Sequence, residues 1–178
     1  VSGQALSEAQ ALQALQAQVL EAAEDASDLD LLGRLMLRTS ARNQLHGTVA
    51  GIEAQGRNDL ITLTLAEGLT LHAQITHDST QRLDLQTGTE VVALIKAGWL
   101  ELLPLDQAPT PGYNHLTGTL EQILDADDGP SEVRISLANG QTLCALAEPM
   151  YLRTKGLLPG QPVQVQFSPS NVLIGTPL

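Results

Sequence analysis

Hydrophobic and polar residues follow two different periods along this chain. Between residues 4 and 26 there is no Pro or Gly, and apolar residues recur at spacings of three and four. This period predicts an amphipathic helix, with Ser7 as its cap and Glu8 in its first turn. A second short helical segment is predicted at residues 28–38. The apolar stripe of the first helix consists of Leu12, Leu15, Val19 and Ala22.

An isolated helix of this kind is marginal in water, so its stripe must pack against something. Another subunit or a further domain would cover it, and so would packing on its own domain. Both arrangements remain open on the sequence.

From residue 45 the pattern changes to alternation with a period of two. The runs ITLTL, LTLHAQI, GTEVVALI and WLELL are short and are separated by turn residues. Such runs predict an all-β barrel or sandwich. The Pro-rich run LPLDQAPTPGY interrupts them and indicates a linker.

The strand pattern then occurs a second time. LHGTVAGI at 45–52 aligns with LTGTLEQI at 116–123, and LAEGLTLHA at 65–73 aligns with LANGQTLCA at 137–145. Gly88 and Val91 align with Gly160 and Val163 at an offset of 72 residues. Matching glycines and apolar positions predict a duplicated small β-barrel.

Composition and charge narrow the functional classes. Hydrophobic residues make up 43% of the chain and aromatic residues only 2%, so the core must be aliphatic. The net charge of −11 argues against unaided nucleic-acid binding, and the four aromatic residues are too scattered to stack bases. Cys144 is the only cysteine and there is no long apolar run, so we expect a cytoplasmic protein without a membrane segment.

Catalytic and metal-binding patterns are also missing from the sequence. The four histidines lack the spacing of a zinc site, and the acidic run at 125–132 places its glycine wrongly for a calcium loop. No glycine-rich phosphate loop is present. We therefore expect a protein that is not an enzyme and that holds no metal cation.

The duplication provides an internal comparison between its two copies. At three places the first copy carries hydrogen-bond donors or a cation that the second copy lacks. A doubly charged oxyanion needs several donors, and hydrogen bonds assisted by a cation are the strongest. The first copy is therefore predicted to bind a small dianion. The differing positions are Ser40, Ala41 and Arg42 against Pro111, Gly112 and Tyr113; Thr76 and Ser79 against Glu148 and Tyr151; and Lys96 against Ser168.

The runs TSARNQLHGTV, LTLHAQITHDS and LDLQTGTEVVALIKAGWLEL, in tandem arrangement, resemble the Mop (TOBE-type) repeats of molybdate-binding proteins. The likeness covers residues 38–176 and is strongest to the C-terminal tandem Mop portion of ModE-type transcription regulators. It implies one OB-like five-stranded barrel per repeat, a homodimer, and molybdate or tungstate held at the subunit interface. By matching positions, one subunit would supply Ser40, Ala41 and Arg42, and the other Thr76, Ser79, Lys96 and the amide of Ala97.

The same resemblance implies a domain map. Residues 1–37 would be a helical linker or dimerisation segment, 38–104 the first Mop repeat, 105–112 a linker and 113–178 the second repeat. ModE-type regulators carry an N-terminal winged-helix domain, which 38 residues cannot hold. We therefore expect a chain from which that domain has been removed, and contact with DNA only through it.

Two functions remain on the sequence alone. The first is the molybdate-sensing domain of a transcriptional regulator, with the anion bound between two chains. The alternative is a stand-alone molybdate storage or homeostasis protein. Oligonucleotide binding by an OB-like barrel is disfavoured by the charge.

Overall fold

A computed structural model describes residues 41–176 of the chain. The helices predicted at 4–26 and 28–38, and the candidate site residue Ser40, lie outside the described residues.

Ten strands, two short α-helices and three 3₁₀ turns make up the described part of the chain. The strands are β1 (Asn43–Gln55), β2 (Asn58–Leu65), β3 (Thr70–Thr76), β4 (Glu90–Ile95), β5 (Glu101–Pro104), β6 (Asn114–Leu124), β7 (Ser131–Leu137), β8 (Thr142–Ala147), β9 (Pro162–Phe167) and β10 (Leu173–Gly175). The helices are α1 (His77–Arg82) and α2 (Pro149–Lys155), and the 3₁₀ turns are Ala66–Gly68, Ala97–Trp99 and Pro169–Asn171.

The strands form two antiparallel five-stranded sheets that exchange their fifth strands. The first sheet has the order β10-β4-β1-β2-β3 and the second β5-β9-β6-β7-β8. Leu173 of β10 pairs with Leu94 in the first repeat, and Glu101 of β5 pairs with Gln166 in the second. The predicted mainly β fold with two five-stranded units is confirmed. The exchange was not predicted, and it means that neither sheet coincides with one of the contiguous segments 38–104 and 113–178.

Alternating burial explains why these runs form strands around a core. In β2 every second residue from Asp59 to Leu65 is buried, as the period of two requires. The core is aliphatic apart from the buried ring of Phe167, in agreement with the composition.

Each repeat also carries a glycine at a position where its sheet leaves no room for a side chain. A Cβ atom on Gly47 would lie 2.6 Å from the main-chain O of Thr64, and one on Gly118 would lie 2.6 Å from that of Ser136. Just beyond each glycine the strand register shifts, between Val49 and Gly51 and between Leu120 and Gln122. The repeated Gly-Thr motif therefore marks the same close strand approach in both sheets.

Candidate functional site

Two buried asparagines join the repeats in an equivalent way. Asn43, the first residue of β1, donates to the main-chain O of Cys144 at 2.8 Å and accepts from its N–H at 2.6 Å. Asn114, the first residue of β6, makes the same pair of hydrogen bonds with His72, both at 2.8 Å. These bonds fix the starts of β1 and β6, and with the start of β1 they fix Ala41 and Arg42, which directly precede it.

Arg42 precedes Asn43, and its guanidinium forms an ion pair with Glu132 of the second repeat. The distance from Nη1 to Oε1 is 2.8 Å, and the Arg42 side chain is 53% exposed against 19% for Glu132. The hydrogen bond with Arg42 lowers the pKa of Glu132 and raises the pKa of Arg42. Sequence reasoning missed Glu132. The first repeat has Leu60 at the matching position, which was the available signal.

Lys96 and Ala97 lie beside Arg42. Because Asn43 pairs with Ile95, the residues that flank this pair, Arg42 and Lys96, are on neighbouring strand ends. The Lys96 ammonium lies 5.0 Å from the centre of the Trp99 ring, at cation–π distance. Ala97 is buried and begins the 3₁₀ turn that follows β4. Arg42 and Lys96, together with the main-chain amide of Ala97, are called the basic group below.

Thr76 and Ser79 form a second group, at the junction of β3 and α1. Thr76 caps α1: its Oγ1 accepts from the N–H of Ser79 at 3.1 Å. The same hydroxyl donates to Ser79 Oγ at 2.9 Å. Residues 76–79 are called the hydroxyl corner below.

A buried carboxylate supports this corner. The Asp59 side chain is only 2% exposed, and its Oδ2 lies 2.9 Å from His77 Nδ1. Hydrogen bonding from Thr80 first, and from His77 second, lowers the pKa of Asp59. Asp59 was not predicted from the sequence, although an acidic residue at a buried position of an alternating strand was a usable signal.

The hydroxyl corner opens into a pocket of about 440 Å³. Its lining includes Thr76 and Ser79 of the first repeat, and Ser170 and Leu173 of the second, but neither Arg42 nor Lys96. β10 pairs with β4 on one side and contacts β3 on the other, so it lies between β4, which leads to Lys96, and β3, which ends at Thr76. Of the predicted site residues that the structure describes, Arg42, Lys96 and Ala97 thus form one group and Thr76 and Ser79 another, while Ala41 is buried next to Arg42.

A larger pocket of about 510 Å³ lies in the second repeat, between the end of β6 and α2. Its lining is mostly aliphatic, with Asp125 as its acidic residue and Arg153 as its basic one. This chemistry does not suit a dianion, so we do not assign the site to it.

Within residues 41–176, no three side chains of His, Cys, Asp or Glu are grouped so that they could hold a metal ion. In the same stretch, no helix is long and apolar enough to cross a membrane.

Comparison with known proteins gives a consistent result. The profile of the TOBE domain matches residues 39–102 and 110–174. The transcriptional regulator ModE of Yersinia pestis is 37% identical over 158 residues, which are 86% of this chain and 60% of that protein. The molybdenum-pterin-binding protein MopA of Rhodobacter capsulatus is 34% identical, over 89% of this chain and 61% of that protein.

A solved structure also matches. The cytoplasmic molybdate-binding protein ModG, crystallised with molybdate bound, superposes with a TM-score of 0.75 at 31% identity, covering 79% of this chain and all of that one. By contrast, the chain spans about 60% of the length of the ModE and MopA proteins above. These relatives are named as a transcriptional regulator, a molybdenum-pterin-binding protein and a molybdate-binding protein, and none of them is named as an enzyme, as expected.

Proposed function

The chain belongs to the TOBE-domain family, as a tandem pair related to the ModE and Mop proteins, and from this premise we propose that it binds molybdate. The observation that carries the proposal is an uncompensated cation beside a buried turn. Lys96 has no carboxylate partner in the part of the chain that the structure describes, although the whole chain carries a net charge of −11. A dianion can pair with this exposed ammonium group and with the guanidinium of the neighbouring Arg42.

The complete site is formed by two chains, because within one chain β10 lies between β4, which leads to Lys96, and β3, which ends at Thr76. One chain supplies Arg42, Lys96 and the amide of Ala97, and its partner supplies the hydroxyl corner. This partition differs from the one that the resemblance implies, in which Lys96 comes with Thr76 and Ser79. The pairing of Asn43 with Ile95 supports the revision, because it holds Arg42 and Lys96 on the same chain as neighbours.

Mixed dimers test this partition. Chains with Lys96→Ala and chains with Ser79→Ala, each carrying a different tag, are co-expressed, and the dimer that holds both is purified. If Lys96 and Ser79 of one site come from different chains, one site in the mixed dimer receives both substitutions and the other receives none. Calorimetry should then find one site per dimer with the affinity of the unsubstituted protein.

A second mixed dimer is the matched control. In a dimer of Lys96→Ala and Arg42→Ala chains, each site carries one substitution, so no site should keep full affinity. If this dimer instead retains one full site and the first does not, the partition is the one that the resemblance implies. Failure of the unsubstituted protein to bind molybdate would overturn the function itself.

Oxyanion specificity is the second part of the proposal. We propose that tungstate binds like molybdate, whereas sulfate, which carries the same charge but is smaller, fits a preformed set of donors poorly. Trp99 is the only tryptophan and lies against Lys96, so its emission reports on the site. Titration with the three anions should change the emission with molybdate and tungstate, and far less with sulfate.

In the cell, we propose that this chain is the cytoplasmic sensing part of a molybdate-dependent transcriptional regulator. It would act as a homodimer and contact DNA only through a further domain. The likeness to the ModE regulators supports this role. An anion that bridges two chains can shift a dimer between two arrangements only by binding one of them more tightly.

Storage of molybdate is the second candidate, supported by the match to the whole length of ModG. The number of anions bound separates the two roles. About one anion per chain favours a sensor, whereas clearly more favours storage.

A further inference from the structure

Next to the hydroxyl corner lies a cation, Arg82, that was not among the site residues predicted from the sequence. Nη2 of Arg82, in the last turn of α1, donates to Ser79 Oγ at 3.2 Å. Nε of the same side chain donates to Oδ2 of Asp78 at 3.1 Å. The guanidinium is therefore held over the corner by two hydrogen bonds, although its side chain is 71% exposed.

Hydrogen-bond accounting identifies the donor that the corner offers to a ligand. A serine hydroxyl has one proton and two acceptor positions. Ser79 Oγ accepts from Thr76 and from Arg82, so both acceptor positions are used. Among the described residues no acceptor takes the Ser79 proton, whereas Thr76 donates its proton to Ser79. Ser79 is thus the direct donor, and Thr76 orients it.

An anion that accepts this proton would be hydrogen-bonded to Ser79 Oγ, and the Arg82 guanidinium is already hydrogen-bonded to the same atom. The anion and the guanidinium would therefore be neighbours. Arg presents five N–H donors in a rigid planar fork, of which two are used here. The unused donors are suited to an oxyanion, because guanidinium–oxyanion hydrogen bonds are charge-assisted.

The second repeat supports the same conclusion by contrast. At an offset of 72 residues, Thr154 stands in place of Arg82, Tyr151 in place of Ser79 and Glu148 in place of Thr76. Glu148 precedes α2 without a side-chain capping bond. Position 154 of the second repeat therefore carries no cation, and positions 148 and 151 lack the small hydroxyl side chains of Thr76 and Ser79.

We propose that Arg82 is a further anion-binding residue, whose guanidinium contacts the oxyanion held by Ser79. This inference rests on the proposed function and deepens it. The complete site then contains cations from both chains: Arg42 and Lys96 from one, and Arg82 from its partner. Asp78 restrains Arg82 and opposes the anion.

Substitutions of Arg82 that separate its charge from its hydrogen bonds test the proposal. Arg82→Gln keeps a donor but removes the charge, whereas Arg82→Lys keeps the charge. Molybdate affinity is measured by calorimetry on the whole chain, with thermal unfolding as a check of the fold. Arg82→Gln should weaken binding by about two- to fivefold, the range for an exposed, screened charge, and Arg82→Lys should weaken it less.

Two further variants complete the test. Arg153→Gln removes one positive charge from α2 of the second repeat and should change the affinity less than about twofold, because α2 is not part of the proposed site and salt screens an exposed charge. Asp78→Asn frees Arg82 and removes a repelling charge, so it should tighten binding.

Equal effects of Arg82→Gln and Arg153→Gln would overturn the role of Arg82 while leaving molybdate binding intact. Equal losses in Arg82→Gln and Arg82→Lys, or weaker binding in Asp78→Asn, would instead assign Arg82 a purely structural role and also overturn the proposal. An unsubstituted protein that binds no molybdate would overturn the proposed function together with this inference.

Discussion

At the scale of single residues, the charges around the site oppose one another. The Arg42 guanidinium is already paired with Glu132, which also accepts from Arg134 at 3.2 Å. A bound dianion would compete with Glu132 for the same guanidinium and would be repelled by its carboxylate. The affinity of the site therefore reflects the difference between these effects, not the number of cations alone.

Glu132→Gln should consequently tighten molybdate binding. The substitution keeps a side chain of similar shape but removes the competing charge, so Arg42 becomes available to the anion. Calorimetric titration at pH 7 measures the change, with Glu121→Gln, at an exposed position of β6, as the control for net charge. Weaker binding in Glu132→Gln would mean that the ion pair positions Arg42 instead of competing for it.

Asp59 gives a prediction about stability and pH. Its pKa in the folded protein lies below the ordinary value of about 3.9, so the folded state favours the charged carboxylate. The stabilisation is therefore fully present above that ordinary pKa and is lost as the pH falls through the lower folded pKa. It is absent when Asn replaces Asp59.

Urea unfolding of the original protein and of Asp59→Asn should accordingly show the largest difference in unfolding free energy near pH 7. The difference should shrink as the pH falls below about 4. Asp106→Asn, at an exposed turn, should show no comparable change. A difference that does not depend on pH would contradict the assignment to the Asp59 charge.

At the scale of elements, β1 and β2 approach so closely at Gly47 that no side chain fits there. Gly47→Ala should destabilise the protein by about 1–3 kcal/mol, because the new methyl group would meet main-chain oxygen, which cannot move aside. Gly51→Ala in the same strand has nothing within 4 Å of its new methyl group and is the matched control. Equal unfolding free energies for the two variants would contradict this account of Gly47.

At the scale of the whole molecule, the exchange of β5 and β10 makes the two repeats depend on each other. Each sheet takes its fifth strand from the other repeat, and Asn43 and Asn114 bond across the junctions. Unfolding of one sheet would remove a strand from the other, so unfolding of either repeat alone would also destabilise the second one.

The exchange predicts a single cooperative unfolding transition. Trp99 fluorescence reports on the turn before β5, whereas far-UV circular dichroism reports on both sheets. The two signals should change at the same urea concentration, as a two-state transition requires. Two separated transitions would show that the repeats unfold independently.

The sequence by itself determined the repeats, the mainly β class and the aliphatic core. It also identified most of the candidate site residues, through the differences between the two copies. These properties are carried by local alternation and by comparison of the copies, so they need no knowledge of which strands meet. Arg42, Thr76, Ser79 and Lys96 could be named in this way.

Only the tertiary structure decided which strand completes each sheet and which charges meet. Short strands such as β5 and β10 bond to residues far along the chain, and a period of two does not specify the partner. For the same reason, neither the contact of Glu132 with Arg42 nor the position of β10 between β3 and β4 could be predicted. Spacing along the chain does not set distances between strands of different repeats.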